Sequence, residues 1–225
     1  MNSNSIGTSS LVRPLVVLLS TGLDSPIASY LMMKQGHDLI AISFLNGGEM
    51  REKNKAKVLA TAKKLVELTQ RKILLYLFDY DGNLDQIIAQ ADRKLTCILC
   101  KRTMLFIAEA FAKEYGALGI INGDILGEQA SQTLDNLFVV NKIIDQVPVI
   151  RPLIGFDKLD VIRISQAIGL YPISLMEGIG CTRNPKYPET HAKLEEVLES
   201  EKGCDRAHVL TEMKKQMEII LLSPP

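Results

Sequence analysis

Leu15-Val16-Val17-Leu18-Leu19-Ser20-Thr21-Gly22-Leu23-Asp24-Ser25-Pro26 decides how this chain is read. An apolar run passes into a short loop of small residues, and a helical pattern follows. That order predicts a buried strand, a tight turn and a helix N-terminus. Such a turn collects backbone N–H groups and the positive end of a helix dipole at one point, which suits a phosphate. Ser20 and Ser25 add hydroxyls, and Asp24 adds a carboxylate able to hold Mg²⁺ beside phosphates. Pro26 fits the first helical turn, where its missing N–H costs nothing. The loop has neither Gly-Lys-Ser/Thr nor G-x-G-x-x-G, so it is neither a Walker loop nor a dinucleotide loop.

The same alternation continues along the chain. Strands are expected at Leu15–Leu19, Leu39–Phe44, Ile73–Phe78, Leu118–Ile121 and Val147–Ile150. Helical patterns lie near 25–35, 51–70, 83–95, 100–115, 126–144 and 157–168. The expected fold class is α/β, a doubly wound parallel sheet of about five strands with helices on both faces. Continuous Val/Ile/Leu runs are what strands buried on both sides require. Sites in such folds sit at the carboxyl ends of strands, where Ser20–Ser25, Asn46–Gly48 and Asn122–Gly123 all fall. A Pro/Gly-rich stretch over 171–188 reads as a long flexible loop, followed by helices near 189–202 and 209–222. The expected organisation is a tail over 1–12, one domain over 13–204, and a helical extension of that domain over 205–225.

Composition narrows the class. The chain has 225 residues, 47% of them hydrophobic but only 5% aromatic and with no Trp, so an aliphatic core is expected. Charges balance at 26 against 26, so net charge gives nucleic-acid binding no help. No apolar run approaches the roughly 20 residues of a membrane span. Residues 1–10 are small and polar without the apolar stretch of a signal peptide. They are expected to be a disordered tail, and a cytoplasmic location with no membrane partner is expected.

The cysteines are Cys97, Cys100, Cys181 and Cys204. Cys97-Ile98-Leu99-Cys100 places two thiols three residues apart at a helix start, where they can reach one metal or cluster. Two buried structural cysteines remain the plain alternative. Cys181 lies beside Arg183 in the Pro/Gly-rich loop, placed to react or to ligate; Cys204 reads as incidental. Lys101-Arg102 can neutralise phosphate charge. Gly123 lets a ligand approach the backbone closely, and Ser131-Gln132-Thr133 offers amide and hydroxyl groups to a nucleotide.

Together these segments resemble the catalytic domain of the tRNA 4-thiouridine sulfurtransferases, also called thiamine-biosynthesis sulfurtransferases. The likeness is carried by Leu19–Pro26 with Tyr30-Leu31-Met32-Met33, by Lys101-Arg102-Thr103-Met104, by Asn122-Gly123-Asp124 with Gly127 and Ala130–Leu134, and by Arg151-Pro152-Leu153-Ile154-Gly155 with Asp157-Lys158. It spans roughly residues 13–200. The loop is similar to the pyrophosphatase loop (PP-loop) S-G-G-x-D-S, with Thr21 in place of a glycine. A β-branched residue resists positive φ, so Thr21 requires either negative φ there or an altered loop.

The resemblance implies an adenine nucleotide alpha hydrolase-like fold of the PP-loop type. It implies an ATP-dependent enzyme that adenylates a nucleoside carbonyl, a tRNA uridine, and replaces the oxygen by sulfur. By position it implies ATP contacts from Leu18, Leu19, Ser43, Phe44, Lys101, Gly123 and Gln132, with Ser20, Gly22, Asp24 and Ser25 on the phosphates. It implies that Cys181 and Asp24 are catalytic and that Mg²⁺ accompanies ATP. A subset with the C-x-x-C implies an iron–sulfur cluster on Cys97, Cys100 and Cys181; persulfide chemistry without a cluster, or a structural or zinc role, are the alternatives. Implied partners are a sulfur donor and tRNA, reached through a separate RNA-binding protein or a homodimer. With the loop beginning at residue 20, the RNA-binding region that precedes it in most members and the rhodanese-like tail of some are not expected. Amidation or ligation of a small acceptor, and a non-catalytic nucleotide-binding subunit, are the rival functions.

Overall fold

β1 (Leu15–Leu18) occupies the middle of the sheet because every one of its residues has an apolar environment on one side or the other. Leu15 and Val17 point to one face and Val16 to the opposite face, as the two-residue period of a strand dictates. Its neighbours are β2 (Leu39–Leu45) and β4 (Ile120–Ile121), both parallel, with Val16 opposite Ile40 on one side and Ile120 on the other. β3 (Ile73–Asp79) continues outward from β2, and β5 (Val149–Ile150) from β4. The computed structural model describes residues 11–46 and 48–225. Of the tail expected over residues 1–12, residues 1–10 lie outside the described residues, as does Gly47 within the Asn46–Gly48 strand end, whereas Val12 is tied to the domain by donating its N–H to the Asp38 carboxylate at 2.7 Å.

The helices are α1 (Asp24–Lys34), α2 (Arg51–Thr69), α3 (Asp81–Gln90), α4 (Thr96–Tyr115), α5 (Leu134–Asn141), α6 (Lys158–Ala167), α7 (Tyr171–Ser174), α8 (Leu194–Ser200) and α9 (Arg206–Gln216). On α2, Asn54, Lys57, Val58, Thr61, Ala62, Leu65 and Val66 are buried, a stripe at helical spacing. Asp157, Thr133 and Asp205 cap α6, α5 and α9 by accepting backbone N–H bonds. Gly116, at φ +61°, ends α4 in the left-handed conformation that glycine adopts without penalty.

Two cores result, one on each face. The α1/α2/α6 face is aliphatic, built on Leu15, Val17, Ile27, Val58, Leu75 and Val161. The opposite face, under α3, α4, α5 and α9, collects the aromatics: Tyr76 and Phe78 meet Phe111 edge-on at 4.8 and 5.9 Å between ring centroids. The aliphatic core expected from composition therefore holds for one face alone.

A sixth strand corrects the sequence reading. Glu218–Leu222, assigned above to a helix over 209–222, forms β6, antiparallel to β3 with Leu75 opposite Ile220. The sheet order is β5-β4-β1-β2-β3-β6. β6 satisfies the outward N–H and C=O groups of β3 that would otherwise form an exposed edge, so residues 205–225 complete the central sheet as well as adding a helix. Two helices are shorter than expected. The 126–144 pattern yields only α5, because residues 125–133 form turns closed by Thr133. The 189–202 pattern yields α8 and a following turn of 3₁₀ helix at Glu201–Gly203. Conversely, the helix expected at 100–115 begins at Thr96, which takes Cys97 and Cys100 inside α4.

Arg102, read above as a phosphate neutraliser, is 1% exposed and faces away from the strand ends. Its guanidinium donates to both carboxylate oxygens of Glu201 at 2.8 and 2.9 Å and to the Val139 carbonyl at 2.6 Å. Removing Arg102 leaves Glu201 with Arg206 alone and the Val139 carbonyl without its donor. Arg102→Leu is accordingly expected to destabilise the protein by about 2 kcal/mol, read as a lower urea midpoint. An unchanged midpoint would contradict the structural role.

Candidate active site

The loop after β1 closes on itself. Ser25 Oγ accepts the Ser20 backbone N–H at 2.8 Å and lies 2.9 Å from Ser20 Oγ, while the Gly22 N–H donates to Ser20 Oγ at 3.2 Å. Among the described residues the only non-glycine positions with positive φ are Arg13 and Gln70. Thr21 thus adopts a conformation that a β-branched residue tolerates, and the threonine leaves the loop intact. No side chain caps the N-terminus of α1, so its first N–H groups stay open to an anion.

Gly123 follows β4 and meets this loop. A Cβ there would lie 2.7 Å from the Ser25 nitrogen and 2.8 Å from its Cα. What glycine admits at this position is the α1 N-terminus itself, rather than a ligand as the sequence reading supposed. The two strand ends therefore meet at the point where the strand order reverses, between β1 and β4. Leu18, Leu19, Ser43 and Phe44 lie on the ends of β1 and β2 beside it, with Leu19 and Ser43 buried.

Asp24, expected to hold Mg²⁺, is paired with a cation from the chain. Lys158 Nζ reaches its two oxygens at 2.6 and 2.8 Å, from the first residue of α6. Lys158 also stands 3.7 Å from Glu128. Sequence reasoning quoted Lys158 within a motif but gave it no role; the signal was its place directly after the Asp157 cap.

Asp124 is the second residue that sequence reasoning left without a role. It is 2% exposed and ties three elements together. One oxygen accepts from Lys101 Nζ at 2.8 Å and from Gln132 Nε2 at 3.1 Å, and the other accepts from Arg151 Nε at 3.1 Å. Burial alone would raise its pKa, but the Lys101 ammonium, the Gln132 amide and Arg151 more than offset it and hold the carboxyl below its usual range. The bond to the acceptor-only carboxylate also sets the Gln132 amide: Nε2 must face Asp124, which leaves Oε1 buried without a partner. An orphaned buried acceptor of this kind suits a donor from a ligand.

Lys101 joins this cluster to the cysteines. Its ammonium acts electrostatically on Cys97 and Cys100, and both feel Cys181. The three expected thiols are thus brought together. Burial raises the Cys97 thiol and pushes Cys100 up to about 12, with the Tyr80 hydroxyl 3.9 Å from the Cys100 sulfur. Cys181 is exposed. Among the described residues no three His, Cys, Asp or Glu side chains are placed to close on a single metal ion. Cys204 packs at the edge of the aromatic-side core, consistent with an incidental role.

The loop bearing Cys181 is held rather than free, contrary to the sequence reading. After Cys181, Arg183 pairs with Asp81 at 2.8 Å and Asp85 at 2.6 Å on α3. Arg93 donates to the Arg183 and Asn184 carbonyls, and Asn184 Nδ2 returns to the Cys181 carbonyl at 3.2 Å. A cavity of 380 Å³ lies between α3 and α9 and borders the anchor of the Cys181 loop through Asp81. Its acidic residues are already engaged, Asp79 by Arg51, Asp81 by Arg183 and Glu212 by Lys215. No helix among the described residues is long and apolar enough to cross a membrane.

A family model described as thiamine biosynthesis protein (ThiI) matches residues 11–205. A curated protein named "Probable tRNA sulfurtransferase" from Methanobrevibacter smithii is 41% identical over 191 residues, covering 82% of this chain and 49% of its own length. A protein of the same name from Thermus thermophilus is 39% identical over 216 residues, covering 93% of this chain and 52% of its own. The chain therefore spans about half the length of these relatives. Among solved structures, a 4-thiouridine synthetase in complex with RNA and bound ATP superposes with a TM-score of 0.87 at 28% identity, covering 93% of this chain and 55% of that one.

Two variants read the site's charge and packing. Asp124→Asn leaves Lys101 and Arg151 without their buried counter-charge and is expected to cost about 3 kcal/mol at pH 7. Because the folded pKa of Asp124 is depressed, its contribution is complete above the unfolded value near 3.9 and is lost as pH falls through the lower folded value. The stability gap between wild type and variant, from urea melts, should be constant from pH 5 to 8 and narrow below about pH 4. Gly123→Ala forces a methyl group into the Ser25 backbone and should abolish nucleotide binding in calorimetry. Retained wild-type affinity would show that the loop tolerates the displacement.

Proposed function

The chain belongs to the thiamine biosynthesis protein (ThiI) family, and from that premise we propose that it is an ATP-dependent sulfurtransferase acting on a uridine of tRNA. One observation carries the reading: Lys101 shares the first turns of α4 with Cys97 and Cys100 and pairs with Asp124 in the cluster at the strand ends at 2.8 Å. A nucleotide site and a sulfur site then share one wall, as adenylation followed by sulfur transfer requires. An amidating enzyme would have no use for the thiols.

ATP would lie across the ends of β1, β2 and β4, in contact with Leu18, Leu19, Ser43 and Phe44. Its phosphates would lie against Ser20, Gly22 and Ser25 and the uncapped N-terminus of α1. Lys158 would exchange Asp24 for phosphate oxygen, an exchange of one charge-assisted bond for another. Asp24, so released, would hold the Mg²⁺ that accompanies ATP. The uridine carbonyl oxygen attacks the α phosphorus and pyrophosphate leaves, with Lys101, Lys158 and the loop N–H groups stabilising the developing charge. Sulfur then adds to the carbon bearing the adenylated oxygen, and the C–O bond breaks with departure of AMP.

Cys181, the exposed thiol, is assigned as the sulfur carrier. If it carries a persulfide, transfer leaves product sulfur bonded to Cys181. Attack by the Cys97 thiolate on the Cys181 sulfur then releases the product and forms a Cys97–Cys181 disulfide. Cys97, Cys100 and Cys181 would be the residues to hold an iron–sulfur cluster, which when bound would supply sulfide for the transfer. A neutral chain favours an acceptor reached with help from a partner protein, a second subunit or a local basic patch, and the sulfur donor would be a separate protein.

Anaerobic purification tests the sulfur side: iron and sulfide analysis with an absorbance band near 400 nm, lost in Cys97→Ala, supports the cluster. A colourless, iron-free protein leaves persulfide chemistry. Cys181→Ala is expected to abolish incorporation of labelled sulfur into tRNA while ATP-dependent pyrophosphate release continues. Undiminished sulfur incorporation in Cys181→Ala would overturn the assignment.

A further inference from the structure

The chain on the near side of Cys181 is gripped by one face of α2, through side chains that take no part in the chemistry above. Asn54 is 2% exposed, and its amide N–H groups and carbonyl oxygen are all bonded to backbone. Its Oδ1 accepts the Ile179 N–H at 3.0 Å and its Nδ2 donates to the Ile179 carbonyl at 3.0 Å, the pairing a neighbouring strand would make. The same Nδ2 donates to the Asn46 carbonyl at 2.9 Å, at the end of β2. One turn along α2, Lys57 Nζ donates to the Ser174 carbonyl at 2.6 Å and the Met176 carbonyl at 3.2 Å. Lys53 on the same face pairs with Glu177. Gly178 is shaped to this contact, since a Cβ there would lie 2.8 Å from Asn54 Oδ1.

We propose that Asn54 and Lys57 are positioning residues that hold the Cys181 loop against the Cys97–Cys100 pair and tie it to the nucleotide end of β2. The grip ends at Ile179 and the Arg183 anchor begins two residues after Cys181, so only 180–182 are left to move. Backbone anchors immediately before and after a thiol limit where its sulfur can go, whereas a loop tethered at one end would sweep a wide volume. The functional weight of this grip rests on Cys181 being the sulfur carrier proposed above; the grip itself does not.

The test uses a short bis-maleimide bridging Cys97 and Cys181 in the full chain, with the bridged peptides quantified by mass spectrometry. Asn54→Ala removes the grip from α2, and Gly178→Ala disrupts it from the loop side by crowding Asn54 Oδ1. Both are expected to slow bridging at least fivefold while a monofunctional maleimide labels Cys181 as fast as before or faster. A merely structural role would instead lower the melting temperature and open Cys100 to labelling in step with the loss. Wild-type bridging rates in both Asn54→Ala and Gly178→Ala would overturn the proposal. Should Asn54→Ala fail to fold, Gly178→Ala alone decides. The bridging assay needs neither ATP nor sulfur. Slowed bridging in the variants of a chain that transfers no sulfur would sustain the grip and sink the proposed function.

Discussion

The arrangement of the site depends on one buried carboxylate. Asp124 sits just beyond β4, enclosed by protein, and stays ionised because it is met by an ammonium, a guanidinium and an amide from three separate elements. A charge in that position without partners would neutralise or force the site open. With them it becomes a fixed point. It locates Lys101 at the start of α4, orients the Gln132 amide so that its carbonyl is free, and draws Arg151 across from the end of β5, where Arg151 also reaches Asn141 at 2.7 Å. The glycine before it lets the loop after β1 press against the same strand end.

The same economy of charge runs through the rest of the site. Asp24 is held by Lys158, Asp124 by Lys101 and Arg151, and the Cys181 loop by Arg183 on α3. A polyanionic ligand entering here exchanges one set of charge-assisted bonds for another, which costs less than desolvating bare cations. The thiols follow a different rule. Burial on α4 raises the Cys97 and Cys100 thiols, which are half-buried, whereas Cys181 is exposed.

Much of this was legible from residues close together in the chain. The Leu15–Pro26 stretch carried its strand, loop and helix start in order, and the loop, C-x-x-C and Gln132 segments each pointed to a part of the site that the structure assembles. What escaped was each role that depends on a distant partner. Asp124 and Lys158 gave no local signal of what they would bind. Arg102 looked like its neighbour Lys101, but the helix turns it through about 100° into the core. Glu218–Leu222 carried no break separating it from the helix before it, and only the open edge of β3 made it a strand.

The sequence by itself determined the α/β class, the parallel centre of the sheet and the phosphate-sized loop, because hydrophobic period and turn chemistry are local properties that act before the chain is assembled. Tertiary structure alone decided which charges meet, which face of α4 is buried, and where Cys181 stands. Those outcomes depend on contacts such as Lys158 with Asp24 and Asn54 with Ile179, more than 100 residues apart. No local pattern encodes such pairs, since each partner acquires its meaning only when the packed sheet and helices bring the other within hydrogen-bond reach.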